Sequence, residues 1–362
     1  MRQFDYSKLT KISYDSEIIS YISKINQYKG KQELYIRQKP VELERLIEIA
    51  RIQSTESSNS IEGIRTTSTR MKQLLSEKTS PKSRDEEEII GYRDVLDLIH
   101  SSHEEIKIVP NHILQLHKIL LSHTNLSYGG NFKSVQNYIT ETYPNGEAVT
   151  RFTPLSPFET PAAISSICES YNRTKELELI DPLILIPVFI SDFLCIHPFN
   201  DGNGRMSRLL MLLLLYQNDF IVGKYISIEK QIEKTKNAYY DVLEKIDHGW
   251  HEENNDPIPF VKYFLKVVLA AYKEFEERVG VVEEAGAKSS VYDIVKNYCK
   301  NKLGKFTSSD VIRDCPSGGR SSILDSLKKL VDEGIIEKKG TGKSTYYIRI
   351  ETEEELWFSP KQ

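Results

Sequence analysis

The sequence predicts a mostly α-helical protein with one β-hairpin and a small C-terminal domain of mixed α+β type. Three observations carry that prediction. Apolar residues recur at helical spacing through most of the chain up to residue 279, and residues 134–152 break that rhythm around an Asn-Gly turn. Residues 288–350 then alternate helix and strand patterns around glycines. The expected organisation is an N-terminal helical region at 1–100, a core at 101–279 and an appended domain at 288–350.

Taken in order, residues 41–61 are acidic and amphipathic, with Leu43, Leu46, Ile47 and Ala50 at helical spacing, and 86–100, 112–123 and 161–177 repeat the pattern. Between them, Val135, Ile139, Val149 and Phe152 flank Pro144-Asn145-Gly146-Glu147, because Asn-Gly fits the left-handed turn that matches strand twist. That pattern alone also admits an ordinary surface hairpin. Residues 183–196 and 209–216 are almost wholly apolar, so they predict two buried central helices joined by the polar run 197–208. A long helix at 259–278 ends near Gly280, and 283–287 read as a linker. Helices at 290–302, 308–314 and 320–333 follow, then strands at 335–339 and 345–348 around Gly340-Thr341-Gly342-Lys343, an order that resembles a winged helix.

Composition narrows the function. A net charge of -4 predicts no general affinity for nucleic acid or anionic membranes, although residues 288–349 carry 13 Lys/Arg against 7 Asp/Glu. Cys168, Cys195, Cys299 and Cys315 form no CxxC pair, so neither a zinc site nor a disulfide framework is indicated and a reducing cytoplasm is the expected setting. The N-terminus lacks a long apolar stretch, and the longest apolar run, 209–216, is too short to span a bilayer, so no membrane partner is expected.

The chemistry concentrates in His197-Pro198-Phe199-Asn200-Asp201-Gly202-Asn203-Gly204-Arg205-Met206-Ser207-Arg208. A neutral imidazole can take a proton from a hydroxyl near neutral pH, and a carboxylate oxygen suits Mg²⁺. Gly202 and Gly204 let the backbone turn tightly and aim N–H groups at a phosphate, with the N-terminus of the following helix adding positive potential. Arg205 and Arg208, three apart, share a helix face and can clamp phosphate oxygens together. These parts suit a nucleoside triphosphate.

The same residues resemble, position by position, the HPFx(D/E)GNGRxxR signature of the Fic domain family, whose typical members transfer AMP from ATP to a protein hydroxyl. The resemblance implies a helical Fic core with a β-hairpin flap, ATP as substrate with Mg²⁺, and roles residue by residue. His197 is the general base, and Asp201 holds Mg²⁺. Gly202, Asn203 and Gly204 form the anion cradle, while Arg205 and Arg208 clamp the outer phosphates. The hairpin becomes a flap, with Ile139 and Thr140 lining the nucleotide site and a target protein bound along it; Lys133 stands where many relatives have arginine. Ser58-Asn59-Ser60-Ile61-Glu62-Gly63 matches the family's (S/T)xxxE(G/N) inhibitory motif. Ser58 and Glu62 lie one turn apart, Gly63 ends the helix, and Glu62 is expected to pair with Arg208 and so remove a phosphate clamp. Tyr239 and Tyr240 resemble the paired aromatics that flank the base, although core packing is equally natural for them.

The leading reading is therefore a protein adenylyltransferase autoinhibited by Glu62. Two alternatives use the same residues: a hydrolase in which Glu62 orients a water to remove AMP from a target, and a regulator whose core senses nucleotide while its C-terminal domain binds DNA. Arg320, Lys328, Lys329, Lys338, Lys339 and Lys343 could meet DNA phosphates, but Asp325, Asp332 and Glu333 share the helix at 320–333 with the first three, which favours protein docking or a homodimer.

Overall fold

The computed structural model describes residues 2–38, 40–142, 148–283, 291–302, 304–315, 319–340, 342 and 345–350. The chain divides into two units, Met1–Glu276 and Glu277–Gln362. The expected turn at Pro144-Asn145-Gly146-Glu147, the linker residues 284–287, and Thr341 and Lys343 lie outside the described residues.

The first unit is built almost entirely from helices: α1 (Ser16–Gln38), α2 (Pro40–Ile61), α3 (Ser68–Leu75), α4 (Arg84–Ser102), α5 (Pro110–Leu120), α6 (Thr160–Glu176), α7 (Pro182–Ile196), α8 (Asn203–Tyr216), α9 (Ile228–Lys234), α10 (Lys236–Asp247) and α11 (Ile258–Glu283). One antiparallel pair, β1 (Ile139–Thr142) with β2 (Ala148–Phe152), interrupts them. Local signals set the ends. Ser83 caps α4 by accepting from the Glu86 N–H, with Asp85, Glu86 and Glu87 at the positive end of its dipole. Asp181 caps α7 in the same way through Leu183, and Pro182 takes the first helical position, where no N–H is missed. α5 begins at Pro110 and ends at Leu120, three residues short of the expected 123.

α7 and α8 are buried along their whole length and pack on each other, as two wholly apolar helices must. α4 approaches α5 so closely that a Cβ on Gly91 would lie 1.9 Å from the Leu120 carbonyl oxygen, so only glycine permits that contact. In the hairpin Ile139 pairs with Phe152 and Thr140 with Thr150, with a register shift between Ile139 and Thr140. Val135 precedes β1 in irregular backbone and is exposed, so the strand begins later than its apolar alternation predicts. α11 also runs on through Gly280 to Glu283.

In the second unit α12 (Val291–Asn301), α13 (Ser308–Asp314) and α14 (Arg320–Asp332) pack around Val295, Ile323, Leu327 and Leu330, and β3 (Ile336–Lys339) pairs antiparallel with β4 (Tyr346–Arg349). Phe306 bridges to Tyr347 beside that hairpin, and Thr307 with Asp310 makes a reciprocal cap on α13. Among the described residues no helix is long and apolar enough to cross a membrane.

Candidate active site

The loop between α7 and α8 holds the polar run. α7 stops because His197, its C-cap, adopts the left-handed conformation (φ 52°, ψ 62°) while its N–H still bonds Phe193 O at 3.0 Å. That backbone is costly for a residue with a Cβ, so surrounding bonds must hold it. The His197 Nδ1 lies 3.2 Å from Leu194 O; a carbonyl can only accept, so Nδ1 carries the proton and Nε2 keeps its lone pair. Burial pushes the imidazole down to about 4, and it is neutral at pH 7.

The next turn is fixed from inside. Phe199 is fully buried and stacks on His117 with centroids 3.7 Å apart. Asn203 spends its amide on that residue's backbone, accepting from Phe199 N at 2.9 Å and donating to Phe199 O at 2.8 Å. The expected anion-cradle role of Asn203 is therefore limited to its backbone N–H in the first turn of α8. His117 accepts from Gly130 N at 3.1 Å and donates from Nε2 to Asp201 O at 3.0 Å. Gly202 then turns left-handed (φ 82°) and starts α8. The Asp201 carboxylate accepts from Gly202 N at 2.6 Å and lies 3.2 Å from Arg84 and 3.5 Å from Arg205.

The two arginines part company. Arg205, 1% exposed, pairs with Glu88 at 2.7 Å, and Glu88 also receives Arg84 at 2.7 Å. Arg208 donates from Nε to Ser58 Oγ at 2.9 Å, and from Nη2 to Ser58 O at 2.9 Å and Glu62 Oε1 at 2.8 Å. Burial works against the Arg208 charge, but the neighbouring Glu62 carboxylate more than offsets it and holds the guanidinium above its usual range. Its Nη1 is buried and makes no hydrogen bond to the described residues. Gly63 (φ 84°) ends the α2 segment and leaves Glu62 facing α8. A Cβ on Gly204 would lie 2.2 Å from Glu62 Oε1, so the carboxylate rests directly over the first turn of α8, where an anion is best placed.

The structure thus brings together His197, Asp201, residues 202–204, Arg205, Arg208, Ser58 and Glu62. It separates the tyrosine pair: Tyr239 is 2% exposed in the core, whereas Tyr240 is 39% exposed with its hydroxyl 3.4 Å from Ile61 O. Thr140 is exposed on β1 and Ile139 half-buried. His117, Glu88, Arg84 and Asn137 were not readable as site residues. None carries a local motif, and each reaches the loop only through packing. A cavity of about 710 Å³ lined by His100, His103, Lys175 and Lys224 sits at the other end of α8 and contains none of these groups.

Among the described residues no group of three or more His, Cys, Asp or Glu side chains converges as a metal cage. The Asp201 carboxylate still fits Mg²⁺, which keeps several waters and takes one or two carboxylates together with substrate phosphates.

Residues 107–215 match the model of the Fic/DOC family. Over 197 residues the chain is 29% identical to protein adenylyltransferase fic-1 of Caenorhabditis elegans, covering 53% of this chain and 34% of that protein. It is 30% identical over 188 residues to protein adenylyltransferase Fic of Aedes aegypti, covering 50% and 32%. The match thus spans about a third of the length of these curated relatives. A Fic family protein from Desulfovibrio desulfuricans G20 shares the fold with a TM-score of 0.61 at 19% identity, over 94% of this chain and 98% of that one.

Proposed function

We propose, from the match of residues 107–215 to the Fic/DOC model and from the adenylyltransferase relatives, that the chain is a protein adenylyltransferase of the Fic family, moving AMP from ATP to a Ser, Thr or Tyr hydroxyl of a target protein. One observation carries the reading: a neutral His197 with a free Nε2 stands at the end of α7, beside the N-terminus of α8 and the buried Arg208. Nε2 takes the proton of the target hydroxyl as its oxygen attacks the α-phosphorus, and pyrophosphate leaves with the electrons of the α–β bridging bond. The backbone N–H groups at Gly202, Asn203 and Gly204 receive phosphate oxygens, and Arg208 supplies a buried donor for the outer phosphate. Arg205 acts chiefly through Glu88 and Asp201, holding the carboxylate that would bind Mg²⁺. When bound, that ion neutralises phosphate charge.

Glu62 is the brake in this reading. It holds Arg208 and covers Gly204, so an incoming outer phosphate meets a carboxylate in its own place. Tyr240 offers its exposed face to the adenine, while Tyr239 supports it from the core. Ile139, Thr140 and the outer edge of the hairpin receive the target segment by strand addition. The second unit serves as a winged-helix interaction module, its α14 mixing Arg320, Lys328 and Lys329 with Asp325 and Asp332. Four free, buried cysteines suit a reducing, cytoplasmic setting.

Incubation with ATP labelled at the α-phosphorus should label protein, and ATP labelled at the γ-phosphorus should not. Transfer of the γ label alone would make the chain a kinase and overturn the reading.

A further inference from the structure

We propose that Lys133 and Asn137 form a brace that positions His197 for transfer and links that position to the flap. The proposal rests on the adenylyltransferase reading. Four consecutive carbonyls, Ile196 to Phe199, each accept a hydrogen bond from one of these two residues. Lys133 Nζ donates to Ile196 O at 3.0 Å and its backbone N–H to Pro198 O at 2.8 Å. Asn137 Nδ2 donates to His197 O at 3.2 Å and Phe199 O at 3.0 Å. The two side chains are then joined to each other, Lys133 Nζ to Asn137 Oδ1 at 2.9 Å.

The place of these bonds matters. The α7 ladder runs out at His197, just where the backbone takes its left-handed turn, so the direction of the imidazole depends on groups outside the helix. Lys133 is only 3% exposed, and its ammonium is satisfied by two neutral oxygens. Burial pulls it down to about 8. A buried ammonium is expensive, and a well-packed apolar residue would fill the space with less penalty. What an apolar residue cannot do is donate to Ile196 O and Asn137 Oδ1 at once.

Asn137 also lies two residues before β1, and Gln136 Nε2 closes the foot of the flap on Pro154 O at 3.0 Å. A segment that adds to the flap therefore acts on the strand leading directly into the residue that holds the His197 carbonyl. Lys133 and Asn137 are positioning residues: they touch neither nucleotide nor target, and act through His197.

The test uses the full chain with Glu62→Gly, to lift the brake, and compares Lys133→Met, Lys133→Arg, Asn137→Asp and Asn137→Ala. Asn137→Asp keeps an acceptor for Lys133 and removes the donor to His197 and Phe199. Self-modification from α-labelled ATP should slow about a hundredfold at saturating ATP in Lys133→Met and Asn137→Asp, with KM for ATP within about threefold, because the fault is one of orientation. Lys133→Arg should restore most of the rate lost in Lys133→Met, since it keeps a buried donor. In ¹⁵N-histidine spectra the His197 Nδ1–H tautomer should give way to a mixture in the slow variants. An unchanged rate, a loss confined to KM, or slowed variants that unfold at lower temperature with unchanged His197 signals would overturn the brace. If the Glu62→Gly parent transfers no label, the adenylyltransferase reading fails, and the tautomer signal still decides whether the brace holds His197.

Discussion

The loop between α7 and α8 and the β1–β2 hairpin, joined through the segment that carries Lys133 and Asn137, are built on opposite terms. In the loop every backbone carbonyl from Ile196 to Phe199 is bonded, Phe199 is buried between aromatic neighbours, and His117 and Asn203 close the turn from inside. The hairpin is a single antiparallel pair with Tyr138, Thr140 and Val149 exposed and an irregular register at Ile139. Two strands are marginal alone and gain from a third. The difference teaches a division of labour. In the proposed reading, groups that must meet a fixed phosphorus sit on the fully bonded loop, and groups that must accept varied partners sit on an edge that completes itself on binding.

The largest expected effect tests the rigid side. His197→Ala should reduce transfer by about a thousandfold while calorimetry finds ATP affinity within about threefold, because the base acts on the hydroxyl and not on the phosphates. Parallel losses in both would mean that the loop is held up by His197 itself. Next, Glu62→Gly should raise transfer by roughly ten- to a thousandfold by freeing Arg208 before ATP arrives. No gain against several targets would remove the brake from the account.

Proton dependence sharpens the same contrast. With the imidazole held down at about 4, Nε2 stays unprotonated from pH 8 to 6, so transfer should be flat there and fall only as pH drops towards 4. Half-loss near pH 6.5 would place His197 in open water and make the loop as loose as the hairpin. The smallest effect belongs to the edge, where Val149 is 41% exposed on β2. Val149→Asp should weaken transfer to an added protein target about tenfold, near 1.4 kcal/mol, and leave self-modification within about twofold. Equal losses in both would mean that the strand supports the chemistry directly.

The helical fold and the heart of the site were legible because their signals are local. Residues 197–208 are contiguous, and Ser58 and Glu62 sit one turn apart on a helix with a glycine stop. α1 was not legible: its buried positions Ile18, Ile25 and Gln32 recur only every seventh residue, leaving no broad apolar stripe to read. α3 escaped for its brevity. The tyrosine pair divides for a geometric reason, since neighbours on a helix point about 100° apart. Tyr239 went to the core and Tyr240 to the surface. Glu88, His117 and Asn137 could be found only in three dimensions, because their partners lie far along the chain.

The placement of Glu62 has a consequence for how such a brake can be released. It does not hang from a loose tail: α2 packs along α4, α8 and α9, and Ser57 is bonded to Glu233 at 2.7 Å. Cutting away the segment before residue 63 would strip the wall that α2 packs against α4, α8 and α9. Relief must therefore come at the scale of one side chain swinging off Gly204, a motion of a few ångströms that leaves the helices in register. In the proposed reading, an activator needs only to outcompete a carboxylate, and a single base change in the codon for Glu62 would do permanently what a ligand does for a moment.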